Sequence, residues 1–248
     1  MDKLVYTALS GLKSQMAAQG VIANNIANAS TTGYRQDRVS FERLMLKGEG
    51  LESRSPAAEE VADFDRRAGA IVATGRPLDV AMTTDSWIAV QAPDGTEAYT
   101  RRGDLNVALS GVLENGEGVP LLGENGPITV PPYDRIAIAE DGTVTISPRG
   151  AEPGTAMQAI GRIKMVSPEG SQTVKGLDNL LHVEGGGILP LDMDAKLAAG
   201  SLEQSNVNLT QALVDMIDNQ RGYEVQANLL AEAKKMDEES ASLMRVQG

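Results

Sequence analysis

Apolar and small residues at both ends of this 248-residue chain recur in alternating steps of four and three, a spacing that lines them along one side of an α-helix. Near the start they are Val5, Leu9, Leu12, Met16, Ala23 and Ile26, with Gln19 in step, and they predict a helix over about residues 3–30. Near the end Leu209, Leu213, Met216, Gln220, Tyr223, Ala227 and Leu230 continue through Ala233 and Met236. The second pattern predicts a helix of about 38 residues, roughly 57 Å long and far beyond the usual globular length. Seams that include Gln19, Gln220 and several alanines bury too little apolar area to hold an isolated helix pair firmly. The ends are therefore expected to pack on other helices and to be weakly ordered until they do, which makes the chain an assembly subunit.

The boundaries of these helices are written locally. Asn28-Ala-Ser-Thr-Thr-Gly33-Tyr34 should stop the first: its β-branched pair disfavours helix, Gly33 can take a positive φ, and Tyr34 can fold back on the last turn. Asn208 should cap the second, with Gln211 as its capping-box partner. Asn24, Asn25 and Asn28 are candidates for fixing register, because a buried amide left without a partner costs about 1–3 kcal/mol. Gly222, in mid-helix, costs about 1 kcal/mol relative to Ala. It either permits close backbone approach or only weakens the helix.

Between the ends the texture changes to short β-branched runs. Val80–Met82, Trp87–Val90, Ile128–Val130, Ile136–Ala139, Val144–Ile146 and Ile160–Val166 read as strands, separated by the hairpin dipeptides Asp94-Gly95, Asn115-Gly116, Asn125-Gly126 and Asp141-Gly142. The expected fold class is α+β. Long terminal helices pack as a coiled-coil-like domain, residues 1–47 with 201–248, around a mostly antiparallel sheet or partial barrel over 69–200. The polar, acidic stretch 48–68 is expected to connect them.

Composition removes most chemistry. The chain has no cysteine, so no disulfide framework or thiolate metal site. Its net charge of −12 opposes nucleic acid and anionic lipid, although the two ends differ in sign, the first basic and the last acidic. No apolar run approaches the roughly 18 residues of a membrane span. Asp2, Ser10, Gly11 and Lys13 interrupt what a cleavable secretory signal would need as an unbroken apolar stretch. His182 stands alone in an alternating segment, with no second ligand or triad partner, and reads as a solvent-facing strand residue. Asp192 and Asp194 lack the spacing of a calcium loop, Gly185–Gly187 reads as a turn, and Trp87 reads as core. No enzyme, metal or cofactor is expected.

One stretch is more specific. Val21-Ile-Ala-Asn-Asn-Ile-Ala-Asn-Ala-Ser-Thr-Thr-Gly-Tyr34 resembles the N-terminal signature of bacterial flagellar axial proteins, the rod and hook subunits. Arg76-Pro-Leu-Asp-Val80, Asp94-Gly95 and Tyr99-Thr-Arg-Arg-Gly103 resemble the central segment of that family. Ser205-Asn-Val-Asn208 and Asn219-Gln-Arg-Gly-Tyr-Glu224 resemble its C-terminal motif. The opening Met1-Asp-Lys-Leu-Val-Tyr-Thr-Ala-Leu-Ser-Gly11 is most like proximal rod members, with distal rod members as the alternative. The resemblance implies an inner tube of terminal helices, a β domain outside it, and export without N-terminal cleavage through the flagellar type III apparatus. It also implies assembly with copies of itself and with other proximal and distal rod proteins in the basal body. Beside it stands a second class, a secreted β-domain binding module dimerised by its helices. The candidate interface combines the seam residues with Asn24, Asn25, Asn28, Gly33, Tyr34 and Asn206.

Overall fold

The two long periodic segments are helices, α1 (Asp2–Ala27) and α2 (Leu209–Val246), and among the described residues they are the only helices of a computed structural model otherwise built of strands and turns. The structure describes residues 2–43, 57–150, 152, 155–176 and 178–246. No helix among them is long and apolar enough to cross a membrane. The chain divides into two compact units, Met1–Ala29 with Gln36–Asp65 and Val207–Gly248, and Ser30–Arg35 with Arg66–Asn206.

In the first unit α1 packs along α2 and against the antiparallel pair β1 (Asp37–Arg43) and β2 (Ala57–Phe64). Of the predicted connector, residues 48–56 lie outside the described residues and 57–64 form β2. Asn25, buried near the end of α1, donates from Nδ2 to the Asp37 carbonyl at 2.9 Å and accepts the Asp37 N–H at 2.8 Å. The side-chain amide thus satisfies both backbone groups that open β1, as a neighbouring strand would. Asn24 donates to the Asp37 carboxylate, and Asn28 turns back onto the Asn24 carbonyl, where α1 runs out of intrahelical partners. Asn208 accepts the Gln211 N–H at 3.1 Å, a true N-cap, but Gln211 sends its side chain to Asp215 instead of closing the box.

The predicted coiled-coil-like packing is corrected by this geometry. Leu9, Met16, Leu209 and Leu213, which should interlock, are 44–60% exposed. The side of α2 turned inward carries Ala212, Asn219 and Gln226, two turns apart and roughly a quarter-turn from the apolar seam, of which Ala233 is buried as well. Gln15 lies over Gly222 and Gln226 over Gly11, so glycines provide room for amide side chains where knobs were expected. The oxygens Gln15 Oε1, Asn219 Oδ1 and Gln226 Oε1 are buried without a donor. A face of this kind brings helices together but gives little apolar burial.

The second unit holds β3 (Ile71–Ala73), β4 (Val80–Met82), β5 (Trp87–Gln91), β6 (Glu97–Thr100), β7 (Leu105–Val107), β8 (Leu113–Asn115), β9 (Leu122–Gly123) and β10 (Gly126–Pro127). It continues with β11 (Tyr133–Ile138), β12 (Thr143–Pro148), β13 (Gln158–Arg162), β14 (Met165–Val166), β15 (Thr173–Lys175), β16 (Leu181–Val183), β17 (Leu197–Ala199) and β18 (Ser201–Glu203). These form several small antiparallel sheets, not the single sheet or partial barrel predicted; the largest runs β14-β5-β6-β16-β15 and another runs β11-β12-β13. Ile128–Val130 forms no continuous ladder with one strand: Ile128 donates to the Leu121 carbonyl and accepts from Leu113, Val130 donates to the Gly111 carbonyl, and Thr129 bridges Val112. Ile160–Val166 breaks in two, because Ile163 bridges Gly123 and the Lys164 N–H goes to the Leu122 carbonyl. The sheets share one core that includes Ile88, Val90, Leu105, Leu121, Val144 and Leu197.

Tyr99 lies wholly inside this unit, its hydroxyl accepting the Leu189 N–H at 2.7 Å, and burial pushes the phenol up to about 12. Tyr99→Phe leaves that buried N–H without an acceptor, so urea unfolding followed by Trp87 fluorescence should show a loss of about 1–3 kcal/mol. An unchanged midpoint would mean the bond contributes nothing. In the helical unit Gly222→Ala should raise stability by up to about 1 kcal/mol, because the added methyl meets only the movable end of Gln15. Thermal melting followed by far-UV circular dichroism measures it, and a lower melting temperature would show that Gln15 cannot yield.

Candidate assembly site

Arg35, Glu203 and Arg101 meet in the β-rich unit with their side chains almost wholly out of water. Arg35 Nη2 lies 2.7 Å from Glu203 Oε1, and Arg101 Nη1 lies 3.7 Å from Glu203 Oε2. Glu203 also accepts the Gly69 N–H at 3.0 Å. Arg101 gives a hydrogen bond to the Thr84 carbonyl at 2.8 Å and stacks over the Trp87 ring at 5.5 Å. Burial holds the Arg101 guanidinium down at about 10, against the upward pull of Glu203, so it stays charged at neutral pH.

Around this carboxylate three passages of the chain are tied together. Gly33 donates its N–H to the Glu203 carbonyl at 2.8 Å with φ +68°, and a Cβ there would collide with the Arg101 backbone. Tyr34 is buried beneath Lys175, whose Nζ sits 3.8 Å over the ring and donates to the Arg35 carbonyl at 3.0 Å. Arg35 and Asn206 both donate to the Arg67 carbonyl, Asn206 at 2.8 Å, and the Asn206 N–H reaches the Tyr34 carbonyl at 3.3 Å. Residues 33–35, 67–69 and 203–206 are thus one clasp. Gly103 continues it: its carbonyl accepts the Val80 N–H at 2.9 Å, and a Cβ there would strike the Val80 carbonyl. Arg76 fixes the same corner through Asp79 at 3.0 Å and the Leu105 carbonyl.

The structure distributes the sequence-predicted residues between two places. Gly33, Tyr34 and Asn206 belong to the clasp; Gly33 lies six residues beyond the end of α1 and does not cap it. Asn24, Asn25 and Asn28 bond within the helical unit. Leu9, Met16, Ala23, Leu209, Leu213, Gln220 and Tyr223 are exposed, whereas Leu12, Ile26, Met216, Ala227 and Leu230 are half-buried. Val5 is in α1, but its side chain lies outside the described residues. Arg35, Lys175 and Glu203 were missed. Arg101 sat unremarked in a motif, and nothing marks Glu203 among 34 acidic residues.

His182, partly exposed in β16, pairs with Asp178 at 3.0 Å, and no group of three or more His, Cys, Asp or Glu among the described residues could hold a metal. Trp87 is buried, and Gly185–Gly187 form a turn with positive φ. Glu203→Gln leaves Arg35 and Arg101 as facing cations, so unfolding in urea should show a loss of about 3–5 kcal/mol. Trp87 fluorescence reports it, and a variant as stable as the parent would show that the carboxylate is not what holds the clasp.

Comparisons with known proteins follow the same chain passages. The family described as "Flagella basal body rod protein" matches residues 5–35, "Flagellar hook protein FlgE/F/G D1 domain" matches 81–146, and "Flagellar basal body rod FlgEFG protein C-terminal" matches 198–243. The flagellar basal-body rod protein FlgF of Salmonella typhimurium is 37% identical over 236 residues, 93% of each chain. FlgF of Escherichia coli is 36% identical over 93% of this chain and 94% of its own. The rod protein FlgG of Bacillus subtilis is 30% identical over 99% of this chain and all of its own length. Similar to FlgF from α1 through the clasp to α2, the chain belongs to the flagellar basal-body rod protein family and is a structural subunit of the rod, not an enzyme.

Proposed function

We propose that the chain is a proximal rod subunit that polymerises through its terminal helices, with copies of itself and with neighbouring proximal and distal rod proteins. The terminal helices line the inner tube, and the β-rich body forms the outer layer. The subunit leaves the cytoplasm through the flagellar type III apparatus without losing its N terminus and joins the basal body where the rod crosses the periplasm. Higher identity to FlgF of Salmonella typhimurium, 37%, than to FlgG of Bacillus subtilis, 30%, supports the proximal over the distal position.

The observation that carries this reading is the inverted polarity of the helical unit. Amides and small residues lie between α1 and α2, while Leu9, Met16, Leu209, Leu213 and Tyr223 stand exposed outside. Val214, Ile217, Val225 and Leu229 are exposed on further sides of α2, and Met236 of the seam is exposed as well. A helix apolar on several sides is one that becomes surrounded. Head-to-tail contacts repeated by a rotation and a rise produce a tube.

Leu213→Asp tests it. Because Leu213 is exposed in the single chain, circular dichroism of the monomer should be unchanged. Burying a leucine is worth about 1.5–3 kcal/mol, so recovery of the variant in isolated basal bodies should fall at least about tenfold. Normal incorporation would contradict the assignment of this face.

A further inference from the structure

The β-rich unit has two apolar features that its own core does not use. The first is a groove of about 530 Å³ beside the turn that joins β7 to β8. Leu109, fully exposed at the tip of that turn, lines it together with Pro131, Pro132 and Tyr133. Arg149 also lines it; it is exposed and has no acidic partner among the described residues. The second is the segment Ile188–Asp194, which presents Ile188, Leu191 and Met193 at 68, 53 and 74% exposure beside the exposed carboxylate of Asp194.

The second is held in place by contacts within the unit. The Leu189 N–H is held by Tyr99, the Asp192 N–H by the Met165 carbonyl, and Leu191 bridges to Val166 at the edge of the five-stranded sheet. Ser86, itself buried, bonds the Asp192 carboxylate. The two prolines of the groove have a fixed φ. Preformed surfaces lose little freedom on docking, and clustered exposed apolar side chains mark contact sites.

We infer that the segment Ile188–Asp194 of one copy seats in the Leu109–Arg149 groove of the next, a second subunit contact made by the β-rich unit. It rests on the reading that copies of this chain assemble with one another. The apolar side chains match the groove, and Asp194 matches the unpaired Arg149, so charge sets the direction of docking. Because the two surfaces differ, the contact is heterologous and repeats along an assembly instead of closing a symmetric pair.

The absence of cysteine gives a direct test in the full chain. Cells producing Ser110→Cys and Met193→Cys variants together are oxidised and their basal bodies isolated. The mixed disulfide should exceed both same-site products by about tenfold or more, as a specific contact over random collision requires. Adding Arg149→Glu to the first variant should abolish that excess, and adding Asp194→Arg to the second should restore it. Equal yields of mixed and same-site products in basal bodies that contain the chain would overturn this contact and leave helix-driven assembly standing. Absence of both single-cysteine chains from basal bodies would overturn the assembly reading, and this contact with it.

Discussion

A single carboxylate, Glu203, sits between two arginines in a place that water barely reaches. Two guanidinium groups so close would repel strongly in a poorly polarisable interior, and the carboxylate turns that repulsion into mutual attachment. Desolvation of three charges is costly, so such a group survives only where its partners are numerous. Here they come from Gly69, Thr84, Arg67 and the Trp87 face. The result joins the segment leaving α1, the segment following β2 and the segment leading into α2. The chain passes between its two units at residues 29/30, 35/36, 65/66 and 206/207, and the last three of these passages lie within one residue of the clasp's own segments.

The helical unit follows a different logic. Its internal contact is made by amides over glycines, and its end is stitched to β1 by Asn25, which satisfies both backbone groups of Asp37. Its aliphatic residues are largely on the outside. That distribution suits a subunit of the flagellar rod, where stability in the assembled state has to come from neighbours. The β-rich unit, by contrast, completes its own core and keeps only limited apolar surface outward.

Much of this was legible in the residues, and the limits have physical causes. The ends of α2 were readable because helical periodicity and an Asn cap are local signals, carried within a few residues. β12 and most of β5 were readable for the same reason, as runs of β-branched or apolar residues bounded by Asp-Gly turns. The segment Ile128–Val130 misled because its backbone bonds are divided among Leu121, Leu113 and Gly111 and form no single ladder. Strands of two or three residues such as β9, β10 and β14 leave no period to detect and exist only through partners far away in the chain.

By itself, the sequence determined that two long helices bracket a strand-rich centre and that the family motifs identify a rod subunit. Which side of each helix faces the other was decided only by tertiary structure. Periodicity reports where apolar residues line up, but not whether that line meets a partner within the chain or outside it. The same holds for Glu203 and Lys175. A charged residue becomes a clasp only when distant segments converge on it, and that convergence has no spacing in the sequence to reveal it.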